Sequence, residues 1–423
     1  MRDNPASRFR FVIEALMCPS RVTAAIVNSS IGALVPLIIQ DLGVSRGTIG
    51  WFISAPQLLT VAFTVPASIM ASRIGMKKTF VIGIFFEATG IIAPFCSNFY
   101  LLMVIRVLFG LGLSMTGPVA AGIIAQWFNR KEMPLYNGIN SAAASTGQTI
   151  ARFVTVPIAM AISWRGTLAT YSIFILLTAV AWLLIGKERP SMAPVSIDET
   201  PLKNRPLAPV STVKMTNWQI LRRRETLALS FSLLGAFGLF FTLSNWLPTY
   251  YYEVFKMPLS QASSVSAIFM LGGLPAGLIG GILPSRLGLR KPILVISGLM
   301  VGITGVASFI INNPVIIFPA VALYGFFAIV YMPSVLTIPM ELPGMTPQQG
   351  AIILSLAMAT GNLAGFIEPI VVGYLADFTG SYLPGFLTAC VLSLSLLIGG
   401  MILPETGPGM RKVVKMPVPE SAD

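Results

Sequence analysis

The sequence predicts an all-α polytopic membrane protein, with twelve transmembrane helices arranged as two six-helix repeats. Three observations carry that expectation. Only 10% of the 423 residues are charged and 55% are hydrophobic, whereas soluble domains carry about 25% charged residues. Apolar stretches of about 20 residues, the length that crosses a bilayer, recur along the whole chain. The segment Ser72-Arg73-Ile74-Gly75-Met76-Lys77-Lys78 returns as Ser285-Arg286-Leu287-Gly288-Leu289-Arg290-Lys291, so the two halves read as copies.

Taken in order, apolar stretches bounded by charge, Gly or Pro place spans near 12–39, 48–71, 79–97, 100–126, 134–162 and 166–186. A second set lies near 226–252, 261–284, 291–311, 314–340, 347–374 and 382–403. The resulting divisions are 1–186 and 226–403 for the two bundles, 187–225 for a linker and 404–423 for a tail. The linker is polar and Pro-rich (Pro190, Pro194, Pro201, Pro206, Pro209) and carries Arg222-Arg223-Arg224, the composition of a connecting segment rather than a folded domain.

With the N-terminus inside, the basic residues fall almost entirely on the cytoplasmic side. Only Arg46, Arg165 and Lys256 lie outside, and Arg21, Arg106 and Arg152 lie within spans. This asymmetry predicts a plasma or inner membrane protein with both termini cytoplasmic. The net charge of +12 is then a matter of topology and not of nucleic-acid binding. The first apolar stretch is too long for a signal peptide and lacks a small-residue cleavage site, so it reads as the first transmembrane helix. Cys18, Cys96 and Cys390 stand far apart in apolar runs and make neither a disulfide framework nor a zinc site. The absence of histidine excludes imidazole metal sites and His-based catalysis. No phosphate-binding loop or nucleophile-elbow pattern occurs. The expectation is a protein that is not an enzyme, with no cofactor, no metal and no catalytic residues.

The stretch Gly281-x-Leu283-Pro284-Ser285-Arg286-x-Gly288-x-Arg290-Lys291, and more loosely Ser68 to Lys78, resembles the loop between the second and third helices of the major facilitator superfamily. Arg106-x-x-x-Gly110-x-Gly112 looks like that family's second motif, and Trp164-Arg165 is another recurring pair. Both loop copies have Ser where the family has Asp, which puts the loop's charge relay in doubt. The run Gly361-Asn362-Leu363-Ala364-Gly365-Phe366-Ile367-Glu368-Pro369, continuing to Tyr382, is similar to the eleventh helix of organic-anion symporter and cyanate-permease branches. The G-P-x-x-G-G signature of drug/proton antiporters is missing, and Gly147-Gln148-Thr149-Ile150-Ala151-Arg152 stands in its place. The resemblance implies a major facilitator fold, with one bundle rocking against the other around a midplane site. It also implies gating roles for Arg73, Gly75, Lys77, Arg286, Gly288 and Arg290.

Asymmetry between the repeats points to the cargo. All three intramembrane arginines lie in the first half, and an arginine at mid-membrane costs about 2.5–3.5 kcal/mol on insertion scales unless it lines a polar cavity or finds a partner. At 1.5 Å per residue, Arg152 and Glu87 both sit roughly 15 Å from the outer face. Arg152 is therefore either a substrate ligand or the partner of Glu87. Arg106 either has a structural or coupling role or contacts the substrate. Arg21 either lines the cavity, snorkels to the inner interface or is structural. Gln148, Asn28, Asn245, Trp246, Tyr324 and Tyr331 are candidates to complete the substrate site, while Tyr250, Tyr251 and Tyr252 read equally as interface aromatics. Glu87 and Glu368 are the expected membrane carboxylates, and either could carry a coupling proton. Gly32, Gly110, Gly112, Gly117 and Gly122 read as close helix contacts, and Pro36, Pro118 and Pro157 as places where helices kink or break.

The function predicted is secondary transport of a small organic anion, a mono- or dicarboxylate, by a monomer in the lipid bilayer, with H+ as the coupling ion. A proton-coupled drug exporter is the alternative, although lipophilic cations would call for membrane acids rather than three arginines. A non-transporting sensor is the remote third, since neither linker nor tail has room for a signalling domain.

Overall fold

A computed structural model of the chain describes residues 5–128, 132–188, 217–342, 345 and 347–407. The pair Arg130 and Lys131, most of the linker and most of the tail lie outside the described residues. What is described is helical throughout: α1 (Pro5–Leu42), α2 (Arg46–Ile74), α3 (Met76–Glu87) with a 3-10 extension (Ala88–Phe95), α4 (Phe99–Trp127) and α5 (Met133–Leu184). A one-turn α6 (Asn217–Leu221) precedes α7 (Arg224–Glu253), α8 (Leu259–Leu287), α9 (Lys291–Ile310), α10 (Pro314–Val330), α11 (Met332–Glu341), α12 (Pro347–Thr379), α13 (Leu383–Ser393) and α14 (Ser395–Ile402).

Among the described residues eleven stretches are long and apolar enough to cross a membrane. One of them, Leu135–Leu184, has 50 residues and would extend about 75 Å, more than twice the hydrocarbon thickness. It therefore holds two of the twelve expected crossings. The break is at Ser163, whose φ is 71°. Ser163 Oγ accepts from the Gly166 amide at 3.2 Å, in the manner of an N-cap that starts the sixth crossing. Asp41, at the end of α1, takes Trp164 Nε1 at 3.3 Å and the Arg165 guanidinium, so the Trp-Arg pair anchors this turn. The helical backbone continues through Pro36, Pro118 and Pro157, and Ser163, not Pro157, interrupts α5.

The tenth expected span is divided between α10 and α11 at Tyr331, next to Pro333, which has no amide proton to give the Ile329 carbonyl. The twelfth is divided at Leu394 between two serines. Ser393 Oγ donates to the Cys390 carbonyl at 2.7 Å, a back-bond of the kind that bends helices.

By packing, the chain falls into two compact units. The first contains α1–α5 together with Ser244–Ala267 and Pro369–Tyr382, and the second contains the remainder of α7, α8 and α12 with α9–α11, α13 and α14. The first core is built on Ile13, Met17, Phe80, Phe109, Ile123 and Trp182, with Phe80 edge-on to Trp182 at 4.9 Å. The second is built on Leu233, Leu294, Val335, Ile353 and Leu396.

Each unit repeats one device at its loop motif. In the first, Glu188 accepts from the Met76 amide at 2.6 Å and Lys77 Nζ donates to the Leu183 carbonyl at 3.1 Å. In the second, Glu405 accepts from the Arg290 and Lys291 amides at 2.7 and 3.1 Å and Lys291 Nζ donates to the Met401 carbonyl at 2.6 Å. A carboxylate at a helix N-terminus is stabilising there. Glu188 and Glu405 supply the negative charge that the loop motif lacks where Ser replaces Asp. Gly75 and Gly288 sit at φ 100° and 68°, Arg73 and Arg286 are exposed, and Arg290 pairs with Glu341 at 3.0 Å.

Candidate functional site

Arg152 lies in the first unit on α5, one turn past Gly147, whose missing side chain lets α5 close onto the Val22 backbone of α1. The guanidinium is 1% exposed. Its Nη2 donates to Ser244 Oγ at 2.6 Å, while Ser263 Oγ donates to the Arg152 carbonyl at 2.5 Å. Nε and Nη1 are buried and have no partner among the described residues. Two donors of a buried cation left unused are costly, because every lost water bond goes unreplaced. Gln148 precedes Arg152 by one turn and is half-buried. Asn245 follows Ser244 and is buried, and a Cβ on Gly32 of α1 would stand 3.1 Å from its backbone.

Glu87 does not pair with Arg152. It is 1% exposed and accepts from Thr116 Oγ1 of α4 at 2.6 Å. Gly112 makes room for it, since a Cβ there would stand 2.7 Å from Glu87 Cγ. The basic group acting on Glu87 is Arg21, half-buried within α1. Depth along the helices put Glu87 and Arg152 at one level, but each side chain is engaged elsewhere, Glu87 with Thr116 and Arg152 with Ser244.

Arg106 is also buried, and it is engaged. Nε donates to the Phe52 carbonyl at 3.0 Å, and Nη2 donates to Asn28 Oδ1 at 3.1 Å and to the Ile53 carbonyl at 3.4 Å. The Phe52 carbonyl is available because Pro56, four residues on in α2, has no amide proton. Arg106 thus repairs the hydrogen-bond ladder that Pro56 interrupts. Gly110, Gly112, Gly122 and Gly32 are all in close contact, but Gly117, expected with them, faces open space.

The remaining candidates divide between the units. Trp246 is fully buried in the first unit and its Nε1 donates to the Pro369 carbonyl at 3.0 Å, which makes it part of the helix packing. Tyr250 and Tyr251, read equally as interface aromatics, are buried, and Tyr252 is exposed. In the second unit Glu368 is 6% exposed and neither carboxyl oxygen has a partner among the described residues. Its carboxyl lies against Gly238 of α7, where any side chain would collide with it. Tyr324 stacks on Phe269 at 5.2 Å with its hydroxyl unpartnered, and Tyr331 is buried at the α10–α11 junction.

Two features escaped the sequence reading. Glu14 is a third buried carboxylate, accepting from Asn140 Nδ2 at 2.8 Å. At one end of the first unit, Asp377 accepts from the Arg46 and Gly47 amides at 3.0 and 2.7 Å. Arg46 reaches Glu253 at 2.7 Å and Tyr382 Oη at 2.8 Å, and Tyr382 Oη donates to Glu253 at 3.0 Å. Burial, and then the Glu253 carboxylate, hold the Tyr382 phenol above its ordinary range. This cluster fastens the start of α2 to the C-terminal ends of α7 and α12. Sequence alone marked Arg46 only as a basic residue outside.

Over most of their lengths, relatives and solved structures of the same fold match the chain. It is 25% identical to a probable sulfoacetate transporter of Cupriavidus necator, covering 93% of this chain and 94% of that one. It is 24% identical to a hexuronate transporter of Bacillus subtilis, covering 91% and 93%. The nucleoside transporter NupG superposes with a TM-score of 0.73 at 15% identity over 92% of this chain and 98% of that one. A bacterial homologue of the lysosomal transporter Spinster does so with a TM-score of 0.71 at 14% identity, over 95% of each. Residues 17–353 match the Major Facilitator Superfamily, and the chain is a member of that family.

Proposed function

We propose that the chain is a secondary transporter that carries a small organic anion across the cell membrane by alternating access, with the anion's carboxylate held by Arg152. The observation that carries this reading is the buried guanidinium with Nε and Nη1 unspent. A planar fork of donors matches a carboxylate bidentately, and within a membrane an anion is what such a group lacks. Ser244 and Ser263 orient the fork, and Gln148 and Asn245 flank it. The relatives named for sulfoacetate and hexuronate, both anions, support the same class. The excess of basic residues on one side supports a plasma or inner membrane protein with both termini cytoplasmic.

Glu368 is the proposed carrier of a coupling proton. A carboxylate buried with no partner is expensive, and a proton removes that expense. The Arg46–Glu253–Asp377–Tyr382 cluster acts as the outer latch that must release for the site to meet the outside.

Reconstituted into liposomes, the protein is expected to take up carboxylates under a proton gradient. Arg152→Gln should abolish both uptake and exchange. Glu368→Gln should lose gradient-driven uptake yet retain exchange. Uptake by Arg152→Gln at the unsubstituted rate would refute the anion site, and unchanged gradient-driven uptake by Glu368→Gln would remove Glu368 as the carrier.

A further inference from the structure

Within the second unit, α7, α9, α10, α12 and α13 bring buried polar groups together around Glu368. Its carboxyl lies over Gly238 of α7. Thr242 follows Gly238 by one turn on the same face of α7, and helical side chains lean toward the N-terminus, which directs Thr242 back to that carboxyl. Leu239, next to Gly238, meets Gly305 of α9. The same glycine gathers Tyr324 of α10 and Cys390 of α13: a Cβ there would stand 3.3 Å from Leu239, 3.5 Å from Cys390 and 3.6 Å from Tyr324. The charge of Glu368 reaches both Tyr324 and Cys390, and Tyr331 is the further titratable group beside Tyr324.

What the polar groups share is an unmet hydrogen bond. Both Glu368 oxygens, the Tyr324 hydroxyl and Thr242 Oγ1 are buried without a partner among the described residues. Thr304 and Thr360 of the same unit return their hydroxyls to the carbonyl one turn back, at 2.6 and 2.9 Å, the usual way in which a helical threonine is satisfied. Thr242 does not. The Tyr324 ring is fixed by stacking on Phe269 at 5.2 Å, which holds its hydroxyl in place.

One water among a carboxyl, a phenol and a threonine hydroxyl has three polar partners, the usual number for a buried water. Each hydroxyl has one proton to give, and a carboxylate accepts on both oxygens. Donors of this kind favour the ionised acid, so they ease the departure of a proton from a site where burial alone would retain it.

We propose that Tyr324 and Thr242, joined to Glu368 by a bridging water, are positioning residues for the proton that Glu368 carries. The inference rests on the reading of Glu368 as the proton carrier and names the groups that let the proton go.

Infrared spectra of the purified full-length protein in lipid, recorded across pH, test it through the C=O band of the protonated carboxyl. Subtracting the spectra of Glu368→Gln isolates the Glu368 band. Tyr324→Phe keeps the stacked ring and removes the hydroxyl, and Thr242→Val does the same for the threonine. Each should raise the pH at which the band is half-lost by about one unit, the worth of one hydrogen bond to a charged group, and should move the band to higher frequency. Thr242→Ser, which restores a hydroxyl, should titrate as the unsubstituted protein does. If one variant fails to fold, the other still reads the cluster. A band unmoved in pH and in frequency in both variants would overturn the proposal and leave Glu368 as the carrier. Spectra unchanged by Glu368→Gln would overturn the proton reading together with the proposal.

Discussion

Arg106 and Arg152 are two arginines of one unit, each buried in the membrane, and they differ in what their nitrogens do. Arg106 gives its protons to the Phe52 and Ile53 carbonyls and to Asn28, in a gap that Pro56 opens for it. Arg152 spends one proton on Ser244 and keeps Nε and Nη1 in reserve. A buried arginine therefore does not mark a binding site by being buried. The accounting of its donors separates a helix clamp from a guanidinium with donors unspent among the described residues. The same accounting separates the acids, since Glu87 is seated on Thr116 while Glu368 has no partner.

The sharpest way to break the comparison is Arg152→Gln. It should weaken anion binding about 100-fold, the worth of hydrogen bonds from a charged group, with little loss of stability, as equilibrium binding and thermal unfolding would show. Arg106→Gln should do the reverse, costing roughly 3 kcal/mol of stability in denaturant unfolding because the Phe52 carbonyl is orphaned, with anion affinity retained in the folded fraction. Gly112→Ala presses on Glu87 and should cost about 1–3 kcal/mol by overpacking. An unchanged anion affinity in that variant would establish that Glu87 and Arg152 work independently. The smallest effect is expected from Pro56→Ala. It returns an amide proton to the Phe52 carbonyl, so the penalty of Arg106→Gln should shrink when the two are combined, and a double-mutant cycle measures the coupling.

The fold class was legible because length, apolar periodicity and a duplicated loop are properties of the chain alone. The break at Ser163 was legible only in outline, since Trp164-Arg165 interrupts the apolar run but the N-cap bond to Gly166 and the anchor at Asp41 are matters of geometry. For the site, sequence marked Arg152 together with Arg21 and Arg106, none of which has a counterpart in the second half. It could not reveal whether Glu87 faces it, because depth along a helix follows from counting residues whereas rotation about the axis follows from packing. The pairing of Arg106 with a carbonyl freed by Pro56 joins two helices through a missing proton, which no spacing rule reports. Glu188 and Glu405 stand too far along the chain from the loops they cap to be linked to them by any local pattern.

The most direct test of the account is a paired titration with a carboxylate that the protein binds and its uncharged amide, measured calorimetrically on the unsubstituted protein and on Arg152→Gln. The account predicts that the unsubstituted protein prefers the carboxylate by about 100-fold and that Arg152→Gln loses the preference while still folding. A preference that survives in folded Arg152→Gln would contradict it and move the anion site away from Arg152.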